Sequence, residues 1–197
     1  VSTGLKGFTY QDLRHTPEDL LRHSLSEVPR YPPWKDGIAK KHPVECLGGH
    51  MKLITHMKSA LQMRDDEFER YVWPLLVRNA EMVHLLPASQ YHHHRAAGGM
   101  LRHNLEVAYF CARNVWKKVL GRHLTGLVEK SRVNQRFAFA GLIVGLGHDI
   151  GKVIVDIKVN SRQKSQWNAH LESFWEWCNR SDGDRYFVEW RNDRIHN

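Results

Sequence analysis

The sequence predicts a mainly α-helical fold with a few short strands. At 197 residues the chain is long enough to bury a core as one domain. Apolar residues recur at helical spacing along several segments. Residues 153–159 alternate weakly and could form a strand or an extended arm. The last segment, YFVEWRNDRIHN, is β-prone but polar. A helical core with at most a few strands follows from this distribution.

The N-terminal part of the chain divides at its prolines. Thr16 and Pro17 supply the cap and the first turn of a short helix, and later prolines end it, which leaves an extended basic connector up to Pro43. We therefore assign residues 1–43 to an N-terminal helix and connector. Residues 44–197 form one domain, which we expect to be a fragment of a longer protein.

Five further helices are predicted within this domain. The first covers about 44–62, and Asp65 or Asp66 caps the second, in which Pro74 introduces a kink or marks the true beginning. A His-rich loop, PASQYHHHRAAGG, follows this second helix. The remaining helices are expected from Gly99 to about Leu120, over 136–147 and over 166–178.

The charge balance favours a polyanionic partner. Lys and Arg number 29 against 21 Asp and Glu, a formal net charge of +8, and there are 14 His. Such a surplus suits contacts with the phosphates of nucleic acid, although a basic but otherwise ordinary enzyme has the same composition. Three widely spaced cysteines with no CxxC pair indicate reduced thiols and no zinc knot, namely Cys46, Cys111 and Cys178.

No segment has the sequence pattern of a membrane anchor. The longest apolar run, Ala138 to Gly147, is about half of the ~20 residues that a spanning helix needs. The first residues are polar and mixed, without the basic and apolar regions of a signal segment. We expect a soluble protein of the cytosol.

The residues best suited to chemistry are His103 and the doublet His148-Asp149. One helix carries a single inward His, and a second helix ends in an adjacent His and Asp, so two imidazoles and a carboxylate can meet at one point. This ligand set suits Mn, Fe, Mg or Zn. The residues after the doublet add a small Gly151, which lets a ligand approach the backbone, and Lys152 as a partner for phosphate. A surface helix end is the alternative.

The motifs LRHNLEVA and GLGHDIGK resemble those of the HD superfamily of metal-dependent phosphohydrolases. Over most of the chain, VHLLPASQYHHHRAAGGMLRHNLEVA, AGLIVGLGHDIGK and VDIKV resemble the N-terminal domain of MobH-type (TraI_2) conjugative relaxases. The resemblance implies an HD-domain-like helical core that nicks one DNA strand at a conjugative transfer origin. It also implies metal ligation by His103, His148 and Asp149.

The triple-His motif of that family falls on His92, His93 and His94. Three consecutive side chains cannot all point one way, so we expect His93 and His94, ahead of His92, to hold a second metal or a phosphate. The final Asp of the HD pattern corresponds to Asp156 through the VDIKV segment. Other candidates for this ligand are Asp182, Asp184, Asp193 and a residue beyond position 197.

Two nucleophiles are consistent with strand cleavage. A metal-activated water could attack the phosphodiester while Lys152 stabilises the developing charge. Alternatively, a tyrosine could attack and remain joined to the DNA, with Tyr91 beside the triplet better placed than Tyr109. The sequence leaves this choice open.

Basic and aromatic side chains give the predicted DNA contacts. Tyr31, Trp34 and Trp167 could stack unpaired bases, while the remaining tryptophans are expected in the core. No helix-turn-helix, zinc-finger or Walker A sequence is present, so neither sequence-specific readout nor helicase activity is expected from these residues. The cations that we assign to DNA binding are Lys40, Lys41, Arg95, Lys117 and Lys118.

The leading hypothesis is therefore a metal-dependent relaxase domain of the bacterial cytoplasm, with Mn²⁺ preferred over Mg, Fe or Zn. Its partners would be single-stranded DNA at a transfer origin and other conjugation proteins. An HD phosphohydrolase of free nucleotides is the alternative enzyme. A DNA-binding module with a degenerate metal site is the alternative without catalysis.

Overall fold

Helices make up most of the protein, which confirms the predicted fold class. The computed structural model describes residues 9–11, 36–118 and 125–191. The predicted N-terminal helix and the first part of the basic connector, up to residue 35, lie outside these residues, as do Tyr31, Trp34 and Asp193. The elements are β1 (Ile38–Ala39), α1 (Pro43–Gly48), α2 (Met51–Leu61), α3 (Asp65–Tyr71), α4 (Trp73–Val83), α5 (Gly99–Val115), α6 (Leu127–Gly147), α7 (Ile150–Val155), β2 (Ile157–Ser161), α8 (Phe174–Arg180) and β3 (Arg185–Trp190).

Two of the predicted helices are each divided into two. The segment 44–62 forms α1 and α2, because the helix is interrupted at Gly49 and His50, which cap the two parts. The next predicted helix forms α3 and α4. The expected cap at Asp65 or Asp66 is wrong, because α3 begins at Asp65 and its N-cap residue is Arg64. Pro74 lies in the first turn of α4. A proline is tolerated there because its missing N–H would have no partner within the helix. Pro74 therefore marks a helix start, one of the two outcomes that the sequence predicts.

The helices α5 and α6 pack closely through small residues. A Cβ atom at Gly145 of α6 would lie 2.5 Å from the Cα and 2.7 Å from the backbone N of Ala108 in α5. One turn earlier, a Cβ atom at Gly141 would lie 3.3 Å from the backbone of Cys111. Only glycine permits this separation of the two helices at Gly145, and Ala108 is itself fully buried.

Helix α6 begins earlier than the sequence predicts, at Leu127 in place of Arg136. Leu127 and Val128 are among the most exposed apolar side chains described, so the first turns contribute little to the core. By length and composition alone, the stretch Leu127–Val155 would suffice to cross a membrane. This stretch is longer than the uninterrupted apolar run from Ala138 to Gly147, because it includes polar residues. A mostly buried core helix passes the same test, whereas 28% of the apolar window in this stretch is buried.

A three-stranded antiparallel sheet with the order β1-β3-β2 covers one side of the helices. The strand predicted over 153–159 is corrected by the structure, because Val153 to Val155 complete α7 and the strand begins at Ile157. Within β2 the side chains of Ile157, Val159 and Ser161 are buried, and those between them are half-buried on the other face. The predicted helix 166–178 is shorter, since the capping box of Ser173 starts it at Phe174.

A buried histidine joins the sheet to the helices. His84 follows α4 and is fully buried; its Nδ1 lies 3.0 Å from the Tyr186 hydroxyl, and its Nε2 lies 2.8 Å from the Lys41 carbonyl. Burial lowers the pKa of this imidazole to about 4. His84 is therefore neutral in the folded protein at neutral pH, with both ring nitrogens satisfied.

We expect Gly145→Ala to destabilise the protein by about 1–3 kcal/mol, because the added methyl group overlaps the backbone of α5. Gly147→Ala is the matched control on the same helix, since a Cβ atom there meets nothing within 4 Å. Thermal unfolding followed by circular dichroism would compare the two. Equal melting temperatures would contradict the close helix contact.

We expect His84 to make stability depend on pH. Between its ordinary pKa of 6.5 and the folded value of about 4, the unfolded state binds the proton and the folded state does not. Stability should fall by about 3 kcal/mol as the pH drops through this window. In urea unfolding, the difference in stability between wild type and the non-titrating His84→Gln should shrink by this amount. A constant difference would contradict a buried neutral His84.

Candidate metal centre

His103, His148 and Asp149 meet where α5, α6 and α7 join. His103 lies on α5, His148 directly follows α6, and Asp149 precedes α7. The His103 Nε2 atom lies 3.1 Å from His148 Nε2 and 3.1 Å from Asp149 Oδ2, and His148 Nε2 lies 3.4 Å from the same oxygen. The structure thus brings together the three side chains that the sequence singles out.

A backbone hydrogen bond orients the His148 ring. Its Nδ1 lies 2.7 Å from the carbonyl oxygen of Gly145, a contact in which Nδ1–H donates. The Nε2 atom of the neutral ring is then the one with a free lone pair, and it faces His103 and Asp149. A backbone carbonyl on the outer nitrogen is the usual arrangement for an imidazole that ligates a metal.

Charge and burial adjust the other two side chains. Burial lowers the pKa of His103, although the Asp149 charge opposes that change, so the neutral ligand form is favoured. Partial burial alone would raise the pKa of Asp149. The hydrogen bond from Lys152, whose Nζ lies 2.7 Å from Asp149 Oδ2, and the nearby positive groups outweigh burial and hold that pKa below its usual value.

The three donor atoms fit one divalent ion. Neighbouring ligands that each lie ~2.1 Å from an ion are separated by roughly 3.0 to 3.4 Å. The observed separations of 3.1, 3.1 and 3.4 Å match this spacing. Two imidazole nitrogens and one carboxylate oxygen form a donor set typical of Mn, Fe or Zn, with further coordination positions left for water or phosphate.

The triple-His loop lies beside this cluster. The ring centroids of His93 and His94 lie 5.9 and 5.4 Å from that of His103. His94 Nε2 also lies 3.1 Å from Oε2 of Glu106, a contact that orients its ring. His92 is exposed, and its backbone N–H donates to Ser89. His93 is exposed as well, and the expected functional role of His93 and His94 ahead of His92 stays a prediction.

A second glycine sets the position of this loop. A Cβ atom at Gly99 would lie 1.8 Å from the carbonyl oxygen of His94, so the loop can lie against the start of α5 only because no side chain is present. The same carbonyl accepts a hydrogen bond from the Ala88 backbone N–H at 3.0 Å. The two contacts hold the His triplet next to the helix that carries His103.

Three polar residues that the sequence reasoning missed support the centre. The amide of Asn79 on α4 donates to the Leu146 carbonyl at 3.1 Å, and the buried amide of Asn104 lies 3.4 Å from Asn79 Oδ1. These contacts tie α4 and α5 to the end of α6. Glu106, the third, follows His103 by three residues and hence lies on the same helix face, a spacing that could have revealed it.

Asp156 and Tyr91 lie outside the three-residue cluster. Asp156 ends α7, two helical turns or about 10 Å along the axis from Asp149. Tyr91 lies in the His loop with 69% of its surface exposed. Asp182, an alternative final ligand, instead accepts a hydrogen bond from the Ser161 hydroxyl at 2.6 Å. The roles expected for Asp156 and Tyr91 stay predictions.

The structure does not support the DNA contacts expected for Lys40 and Trp167. The Lys40 ammonium donates to the carbonyls of Cys178, Ser181 and Asp182 near the end of α8, which gives it an internal structural role. Trp167 is buried and cannot stack on a base. Lys41 is half-buried, whereas the other cations assigned to DNA are exposed, namely Arg95, Lys117 and Lys118.

Residues 37–197 match the TraI_2 family, which is described as "Putative helicase". The chain belongs to the TraI_2 family. Membership indicates a conjugation-related function of the relaxase or helicase type, with nucleic acid as the partner. No curated protein and no solved structure matches the chain. His103, His148 and Asp149, the group that could hold a metal ion, lie within the matched residues of this TraI_2 chain.

Proposed function

We propose that this TraI_2 domain is an HD-type, metal-dependent phosphodiesterase that nicks one DNA strand at a conjugative transfer origin in the bacterial cytoplasm. The observation that carries the proposal is the convergence of His103, His148 and Asp149, whose ligand atoms all lie within 4.8 Å of one another. Family membership indicates nucleic acid as the substrate, and the three side chains could hold a metal ion that promotes phosphodiester cleavage. Residues 44–197 would form the catalytic unit.

The three residues would hold a divalent ion, which we propose to be Mn²⁺. When bound, such an ion polarises a phosphate oxygen and lowers the pKa of a water molecule. The Lys152 ammonium lies 2.7 Å from Asp149 Oδ2 and can contact a substrate phosphate beside this carboxylate. His93 and His94 border the same space and can donate hydrogen bonds to phosphate oxygens.

The exposure of the cluster favours a polymer over a free nucleotide. His148 retains 30% of its side-chain surface, and Gly147 and Gly151 on either side are exposed. A DNA strand can pass across such an open centre, whereas a mononucleotide hydrolase needs a closed pocket. The net charge of +8 and the exposed Arg95, Lys117 and Lys118 suit the phosphate backbone. Other conjugation proteins would supply recognition of the origin.

We expect Mn²⁺-loaded protein to nick a fluorescent single-stranded oligonucleotide taken from a transfer origin, and His148→Ala to lose this activity because one metal ligand is gone. Lys152→Ala should retain metal but cleave about a hundredfold more slowly, since charge at the phosphate is lost. His170→Ala, at an exposed loop histidine, is the matched control. Cleavage that survives chelation and the His148→Ala change would contradict the proposal.

We propose the metal-activated water as nucleophile, because the donor cluster supports it and Tyr91 is mostly exposed. Tyr91→Phe should therefore retain cleavage, and denaturing gels should show no DNA joined to the protein. An adduct in wild type that Tyr91→Phe abolishes would instead assign the attack to the tyrosine.

A further inference from the structure

A polar cleft of about 400 Å³ lies on the sheet, apart from the metal centre. Its lining combines two lysines, two side-chain amides, one aromatic ring and one carboxylate. These side chains come from the β2–β3 pair and from the loop that follows β2. They belong to Lys158, Asn160, Lys164, Gln166, Phe187 and Glu189.

Strand register places these side chains on one face. Because Ile157 and Val159 are buried, Lys158 and Asn160 project from the opposite side of β2. Lys158 pairs with Glu189 and Asn160 pairs with Phe187 across the antiparallel ladder, and paired residues project to the same side. The cleft is therefore the outward face of the sheet, opposite the core.

The loop after β2 is held in place over this face. The backbone pairing continues as Trp167 N–H donates to the Val159 carbonyl at 3.0 Å. Asp182 accepts from the Ser161 hydroxyl at 2.6 Å and from the Gln163 backbone N–H at 3.3 Å. Lys164 adopts a left-handed conformation at the bend, with φ of 65°. These contacts within the protein fix the loop that carries Lys164 and Gln166, which reduces the entropy cost of binding a ligand there.

The charge of this face is positive. Lys158 and Lys164 line the cleft with one acid, Glu189. The alternation of β3 places Arg185 on the same side, where its guanidinium donates to the Gly37 carbonyl at 3.1 Å. Phe187 is half-buried, so part of its ring is accessible. Cations for phosphates, an aromatic ring for stacking and amides for base edges are the parts of a single-strand binding surface.

We propose that this face binds single-stranded DNA, with a base stacked on Phe187 and phosphates contacted by Lys158 and Lys164. The inference rests on the proposed function, because the same strand would continue to the metal centre. Along the chain, α7 alone lies between Asp149 and β2, and its six residues rise about 9 Å along the helix axis. A DNA strand that continues from the sheet past α7 would therefore approach the centre.

Fluorescence anisotropy with a labelled single-stranded oligonucleotide of mixed sequence tests the proposal. Phe187→Leu keeps an apolar side chain but removes stacking, and should weaken binding about tenfold. The double variant Lys158→Ala/Lys164→Ala should bind DNA more weakly. The slope of its log affinity against log salt concentration should be smaller by about one or more, because phosphate contacts are lost. Matched controls elsewhere are the exposed Tyr71→Leu and Lys52→Ala/Arg132→Ala, which should bind as wild type does. Melting temperature and Mn²⁺ content confirm folding of each variant.

The result separates this surface from the metal centre. His148→Ala should bind the oligonucleotide normally without cleaving it, whereas Phe187→Leu should cleave at saturating DNA. If folded Phe187→Leu and the folded double lysine variant both bind DNA with wild-type affinity, the proposed binding role of the sheet is wrong. The proposed function would still stand if the wild-type protein cleaves DNA. Failure of Mn²⁺-loaded wild type to bind or to cleave single-stranded DNA would overturn both.

Discussion

The close contact of α5 and α6 at Gly145 is the constraint on which the rest of the structure depends. The absence of a side chain lets Ala108 approach the α6 backbone, and this approach sets the distance between the helix that carries His103 and the one that ends at His148. The Gly145 carbonyl also accepts the hydrogen bond that orients His148. Packing and ligand orientation thus depend on one residue, and an ångström of helix displacement would separate atoms that now lie 3.1 Å apart.

The supporting contacts explain how polar groups are held at the end of a helical core. Lys152 neutralises Asp149, and the buried amides of Asn79 and Asn104 link α4 and α5 to the Leu146 carbonyl. Helices and buried hydrogen bonds therefore hold the donor atoms at the spacing of metal ligands, which is the condition for a specific site. The neighbouring His loop is fixed in the same way through Gly99, so both sides of the centre are built on backbone contacts.

The helical fold and the three candidate ligands can be predicted from the sequence, whereas element boundaries and the surroundings of single side chains depend on tertiary contacts. The residue types and helical positions of His103, His148 and Asp149 predict their meeting. Pro74 allows either a kink or a helix start, and only the structure distinguishes them. Lys40 and Trp167 were misjudged because composition shows charge and aromaticity but not the carbonyls or the core that surround a side chain. The strand expected over 153–159 began later because α7 continues to Val155, and short apolar runs suit either structure.

The central claim is that three side chains form one divalent metal site, and metal content tests it most directly. Wild-type protein loaded with Mn²⁺ and then desalted should retain stoichiometric metal by plasma mass spectrometry. His103→Ala and Asp149→Asn should each lose it, because two ligands bind an ion far less tightly than three. His170→Ala should retain it. Absence of metal from folded wild type, or full retention by His103→Ala, would contradict the account.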